Sequence, residues 1–135
     1  MKQDIVVPPV KDVLVAVVPR NNDTTAELWD VYVINTGERP MENVLITSQG
    51  YGSIDGRDKT TTVLRHFHQR LDARSYVRVE PIQRALFGLR NEYWISFNAG
   101  DDGMLDKRFV FTPGQINAEA LETVPVLDKA GVPVS

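Results

Sequence analysis

No cysteine occurs among the 135 residues, which rules out a disulfide framework, a thiolate nucleophile and any zinc site built on sulfur. Histidine is nearly as scarce, with two residues, so imidazole-based metal or acid–base chemistry has few groups to draw on. Long apolar runs are missing as well. The richest stretch, Ile5 to Val18, is interrupted by Pro8, Pro9, Lys11 and Asp12; it lacks the unbroken core of a signal peptide and is too short to span a bilayer. The resulting expectation is a cytoplasmic protein with no membrane span. Fifteen basic against eighteen acidic residues leave a net charge of −3, too mild to name a nucleic-acid or membrane partner. What remains is an ordinary globular balance, 42% hydrophobic and 24% charged, in a length that suits a single domain over residues 1–135.

Alternation of apolar and polar residues predicts seven strands between residues 12 and 112. The first is the β-branched run Val13 to Val18. Glu27 to Asn35 turns Trp29, Val31 and Val33 inward and leaves Asp30 and Tyr32 outside. Asn43 to Gln49 has Val44 and Ile46 as its inward pair. Gly50 to Asp58 reads as a long mobile loop before a strand over Lys59 to Phe67, whose facing is ambiguous. Ser75 to Glu80 sends Val77 and Val79 inward against Tyr76, Arg78 and Glu80, and Pro81 then suits the start of a short helical turn ending near Gly88. Glu92 to Ala99 buries Tyr93, Ile95 and Phe97 and leaves Trp94 outside; Leu105 to Thr112 buries Phe109 and Phe111. Short alternating strands with no long helix are what a two-sheet antiparallel sandwich requires. Residues 113–135 form an apolar, proline-broken tail, read as an edge strand, a surface strap or a flexible end.

The segment Val31-Tyr32-Val33-Ile34-Asn35-Thr36-Gly37, then Met41-Glu42-Asn43-Val44-Leu45-Ile46, and later Leu71-Asp72-Ala73-Arg74-Ser75-Tyr76-Val77-Arg78-Val79, resembles bacterial immunoglobulin-like domains of the adhesion-related type. In those domains a strand ending in Asn-x-Gly leads into the next strand, and a later turn precedes a Tyr-x-Val-x-Val strand. The resemblance covers roughly residues 25 to 112. It implies an all-β, seven-stranded antiparallel immunoglobulin-like β-sandwich with adhesive or spacer roles.

Motifs that carry chemistry are sparse. His66 and His68 share one strand face, where Asp72 or Asp58 would have to complete a metal site, but no ligand sits at a diagnostic spacing and no metal or cofactor is expected. The glycines at 50, 52 and 56 precede a strand-like segment rather than the helix a phosphate cradle needs. Asp101-Asp102-Gly103 with Asp106 lacks the alternating ligands of a calcium loop and reads as a tight turn. No Gly-x-Ser-x-Gly elbow is present, and no catalytic residue or enzymatic activity is expected.

Charge is less evenly spread. Residues 57 to 90 hold eight basic and three acidic residues, a local excess of five that leaves the rest of the chain at −8, since the total is −3. Such a split suits an anionic partner, head-to-tail self-association, or simply a solvated face. The expected function is a noncatalytic binding or interaction module for another protein or a second copy. Its contact residues are Tyr32, Tyr76 and Arg78 on one outer face and Trp94 and Arg108 on the other. A polyanion or nucleic-acid binder using the 57–90 arginines beside Tyr32, Tyr76 and Trp94 is a rival that the mild net charge disfavours; a carbohydrate-binding module using Trp94 and Tyr51 is the second.

Overall fold

The protein is described by a computed structural model over residues 10–135. Residues Ile5 to Pro9 of the first apolar stretch lie outside them. Among the described residues ten strands form: β1 (Val13–Pro19), β2 (Leu28–Asn35), β3 (Met41–Ile54), β4 (Arg57–Thr60), β5 (Leu64–Leu71), β6 (Ser75–Gln83), β7 (Arg90–Asn98), β8 (Met104–Phe111), β9 (Glu122–Val124) and β10 (Lys129–Val134). The first sheet runs β6-β2-β1-β10-β9. The second runs β4-β3-β7-β8, with β5 on the same edge of β3 as β4. All pairings are antiparallel, and the inner faces of the two sheets meet in one apolar core.

The core residues follow from alternation. Trp29, Val31 and Val33 of β2 are buried opposite Val44 and Ile46 of β3, Tyr93, Ile95 and Phe97 of β7, and Phe109 and Phe111 of β8, all at inward positions of their strands. Val77 and Val79 pack against the same core half-buried. Trp29 meets Phe87 edge to face with ring centroids 5.1 Å apart, which helps seal one end of the sandwich.

The described residues form ten strands rather than seven, because residues 57–71 make two strands instead of one and the tail adds β9 and β10. Gly50 to Asp58 is not a long loop: β3 continues to Ile54, and Asp55 (φ 53°) and Gly56 (φ 75°) make a two-residue hairpin turn into β4. Both central residues are left-handed, the geometry that Asp-Gly favours because it matches the twist of the flanking strands. Lys59 to Phe67 is therefore two strands. Fourteen residues of β3 accommodate β4 along 51–54 and β5 along 41–48. The break at Thr61 is held by reciprocal bonds: the Thr61 amide donates to the Gly50 carbonyl at 2.8 Å, and the Gly50 amide donates to Thr61 Oγ1 at 2.8 Å.

Pro81 does not open a helical turn; it lies exposed within β6 opposite Asp30, and the turn comes later, at Arg84–Leu86. An edge strand tolerates the missing N–H. Just before it, Val31 pairs with Glu80 but Tyr32 with Arg78, so Val79 is an extra residue on β6. This bulge moves Glu80 from the expected outward position to an inward one, opposite buried Val31.

The tail is structural. β10 pairs with β1 through Val132–Val134 and with β9 through Lys129–Gly131, so Pro133 sits where the far edge of β10 has no partner. Val124 and Leu127 then cover Ala16, Val18 and Ile34 on the outer face of the first sheet, making a second, smaller apolar cluster. Gly131 is obligatory at the crossover, where a Cβ would stand 2.8 Å from Val18 Cγ2 and 3.1 Å from the Val17 carbonyl oxygen. No helix among the described residues is long and apolar enough to cross a membrane.

Candidate interaction surface

The five residues expected to make contacts fall into two groups on opposite outer faces of the sandwich. On the first sheet, Tyr32 lies opposite Arg78, and the Tyr32 and Tyr76 rings meet edge to face at 5.8 Å. Much of this patch is already committed within the chain. Tyr32 is half-buried beside the tail cluster. Arg78 donates through Nε to Asp30 Oδ1 at 3.0 Å, and Arg20 grips the same carboxylate through Nη2 at 2.6 Å and Nε at 3.1 Å. The Arg20 hydrogen bonds hold the Asp30 carboxyl below the usual carboxylate range; burial pushes the other way, and Arg78 adds to the lowering.

A carboxylate with a depressed folded pKa stabilises the fold above the unfolded value of about 4, and that stabilisation disappears as pH falls through the folded value. Asp30→Asn is expected to cost about 1–3 kcal/mol at pH 7, at the lower end for a charged hydrogen bond because Arg20 and Arg78 can rehydrate. Urea denaturation at pH 7 and pH 3 checks this. The difference between the variant and the native chain should shrink on acidification; a difference that holds or grows would remove the ion pair as its source.

The outer face of the second sheet is less committed. Along one row, Phe67 of β5 faces Leu45 of β3, which faces Ser96 and then Asp106. In the next row Arg65 faces Thr47, then Trp94, then Arg108. Leu45 and Trp94 are diagonal neighbours, so Phe67, Leu45 and Trp94 form a continuous apolar strip at 62%, 41% and 45% exposure, bracketed by Arg65 and Arg108. Trp94 and Arg108 thus come together as expected. Phe67 and Leu45 were not singled out from the sequence, although Leu45 lies between inward Val44 and Ile46, and Phe67 between His66 and His68. Tyr51 is less free than its exposure suggests. It donates to Glu92 Oε1 at 2.9 Å, and Arg90 (3.2 Å) and Arg108 (3.6 Å) converge on the same oxygen.

No family model, no curated protein and no solved structure matches the chain. The assignment of this surface therefore rests on its own geometry.

The arginines of residues 57–90 are largely engaged. Arg70 pairs with Glu42 and Asp72, Arg74 with Glu38, Arg78 with Asp30 and Arg90 with Glu92, while Arg84 donates to the Thr24 carbonyl. Four of those carboxylates lie outside the 57–90 window or across the sheet, which a count along the sequence misses. Among the described residues, Arg57, Lys59, Arg65 and Arg84 of this set make no ion pair. His66 and His68 occupy inward-facing positions opposite Ile46 and Val44. His66 Nε2 lies 2.9 Å from Glu80 Oε1. Among the described residues no group of three or more His, Asp or Glu side chains is placed to hold a metal ion.

Proposed function

We propose that the protein is a noncatalytic interaction module that presents the outer face of its second sheet to a protein partner. The observation that carries this reading is the exposed Leu45, Phe67 and Trp94 strip between two arginines. Aromatic residues and arginine are enriched at protein interfaces, and a contiguous exposed apolar strip lies outside the core that the two inner faces form. An immunoglobulin-like architecture fits the same reading. If β3's two edge partners are counted as one strand, the first, second and fifth strands share one sheet and the third, fourth, sixth and seventh the other, with β9 and β10 as an addition to the first. Such sandwiches commonly use an outer sheet face for recognition.

A polyanion partner draws less support. The arginines of residues 57–90 are mostly spent on carboxylates, and Tyr32 and Tyr76 lie on the opposite side of the sandwich from Trp94, so one strand of nucleic acid has no continuous stacking path.

A photoreactive amino acid placed at position 67 tests the reading in cells that make the protein naturally. The expected result is one dominant cross-linked protein, or a cross-linked second copy, that the same probe at position 76 does not give. No product from position 67, or equal products from both positions, would overturn it.

A further inference from the structure

The inward-facing pattern of the second sheet changes character along its length. On β3 it runs Val44, Ile46, Ser48, Gly50, and on β7 Phe97, Ile95, Tyr93, Asn91. Large apolar residues at one end give way to small and polar ones at the other. An interior lined by small side chains leaves unfilled space, and a cavity of about 510 Å3 opens there between the sheets. Its walls include Ser48, Asn91 and Tyr93 from the second sheet and Glu80, Ile82 and Leu28 from the first.

Glu80 is in this wall because of the β6 bulge. Without the extra residue, strict alternation would put its carboxylate in solvent on the outer face. Bulges that re-aim one side chain recur beside functional sites. The Glu80 side chain is 12% exposed. One oxygen is saturated: Oε1 accepts from Ser48 Oγ at 2.7 Å and lies 2.9 Å from His66 Nε2. Among the described residues Oε2 accepts no hydrogen bond. Asn91 offers a second unspent acceptor. Its amide nitrogen donates to the Leu86 and Leu89 carbonyls at 3.0 and 3.2 Å, which fixes the orientation of the group and leaves Oδ1 free. Gly50 makes room for that oxygen, since a Cβ there would lie 2.8 Å from it. Tyr93 is buried, and burial pushes its phenol pKa up, with Glu80 adding to the effect.

We propose that this cavity binds a small organic ammonium ion, with the cationic nitrogen donating to Glu80 and Asn91 and the apolar body lying against Leu28, Ile82 and Tyr93. The two oxygens left free beside the bulge, Glu80 Oε2 and Asn91 Oδ1, are acceptors, so a ligand that engages both must bring donors. Among the described residues Glu80 is the one carboxylate in the lining and no lysine or arginine takes part, so a monocation complements it and an anion does not. The size falls in the range of small-molecule sites, and an apolar wall with a few convergent polar groups is their usual composition. This site lies between the sheets and is independent of the outer face.

The test uses the full chain labelled with 15N and titrated with 2-phenylethylammonium, with 2-phenylethanol as the neutral isostere and 3-phenylpropanoate as the anion. Saturable shifts of the Gly50, Glu80 and Asn91 amides are expected with the ammonium ion alone. Glu80→Gln should weaken binding about tenfold or more, the value of a charged hydrogen bond. Because Glu80→Gln also touches Ser48 and His66, Thr62→Trp at the exposed rim of the cavity supplies a second variant, expected to block entry while the thermal midpoint stays unchanged. Equal binding of the alcohol, shifts confined to the outer sheet face, no saturation in the millimolar range, or full binding by Thr62→Trp would each overturn the proposal.

Discussion

A chain ending at Gly114 is expected to fail to reach the native state. The removed residues include Ile116, Val124, Leu127 and Val132, all buried. Each such side chain contributes about 1.5–3 kcal/mol of apolar burial, so the four together approach the whole net stability of an ordinary domain, about 5–15 kcal/mol. The truncation also exposes Ala16, Val18 and Ile34 and leaves Val15 to Val17 of β1 without β10, giving an apolar face beside an open strand edge, a combination that promotes aggregation. Size-exclusion chromatography with near-ultraviolet circular dichroism checks it. The expected result is loss of the tertiary signal or a shift to aggregates. A monomeric truncated chain that unfolds cooperatively within about 2 kcal/mol of the full chain would show that β9 and β10 are an ornament on a complete eight-strand core.

The second large effect is expected at Phe111. Its side chain is fully buried, meeting Tyr93 edge to face with centroids 6.1 Å apart. Phe111→Ala removes a fully buried ring, and the void cannot collapse easily because the surrounding residues belong to paired strands. A loss of about 3–5 kcal/mol is expected from urea denaturation. A loss under about 1 kcal/mol would mean that the Phe111 ring does not belong to the packed core.

The inward residues were legible wherever a strand alternated cleanly, as in Trp29-Val31-Val33 or Tyr93-Ile95-Phe97, because one buried face imposes a period of two on the sequence. The Asp55-Gly56 turn was also present as a signal, but three neighbouring glycine positions made a loop look equally natural. The bulge at Val79 leaves no trace in the alternation itself. A single inserted residue preserves the apolar–polar rhythm on either side, and only pairing with β2 reveals that Glu80 has changed faces. Long-range charge pairing was hidden for a similar reason: Arg70 finds Glu42, and Arg78 finds Asp30, across strand neighbours that are far apart in the chain. Of the proposed contact surface, Trp94 and Arg108 were legible from facing and register. Phe67 was not, because a strand read as Lys59 to Phe67 has no defined inside; only the division into β4 and β5 sets Phe67 beside Leu45.

The assignment of the outer face of the second sheet stands or falls on one affinity comparison. The protein captured from position 67, or a second copy of the chain if that is what is captured, is titrated against the native chain and against Phe67→Ser combined with Trp94→Ser. Two exposed aromatic anchors lost together are expected to weaken binding roughly a hundredfold or more, with the thermal midpoint unchanged because neither ring belongs to the core. Unchanged affinity, or an equal loss from Tyr32→Ser combined with Tyr76→Ser on the opposite face, would contradict it.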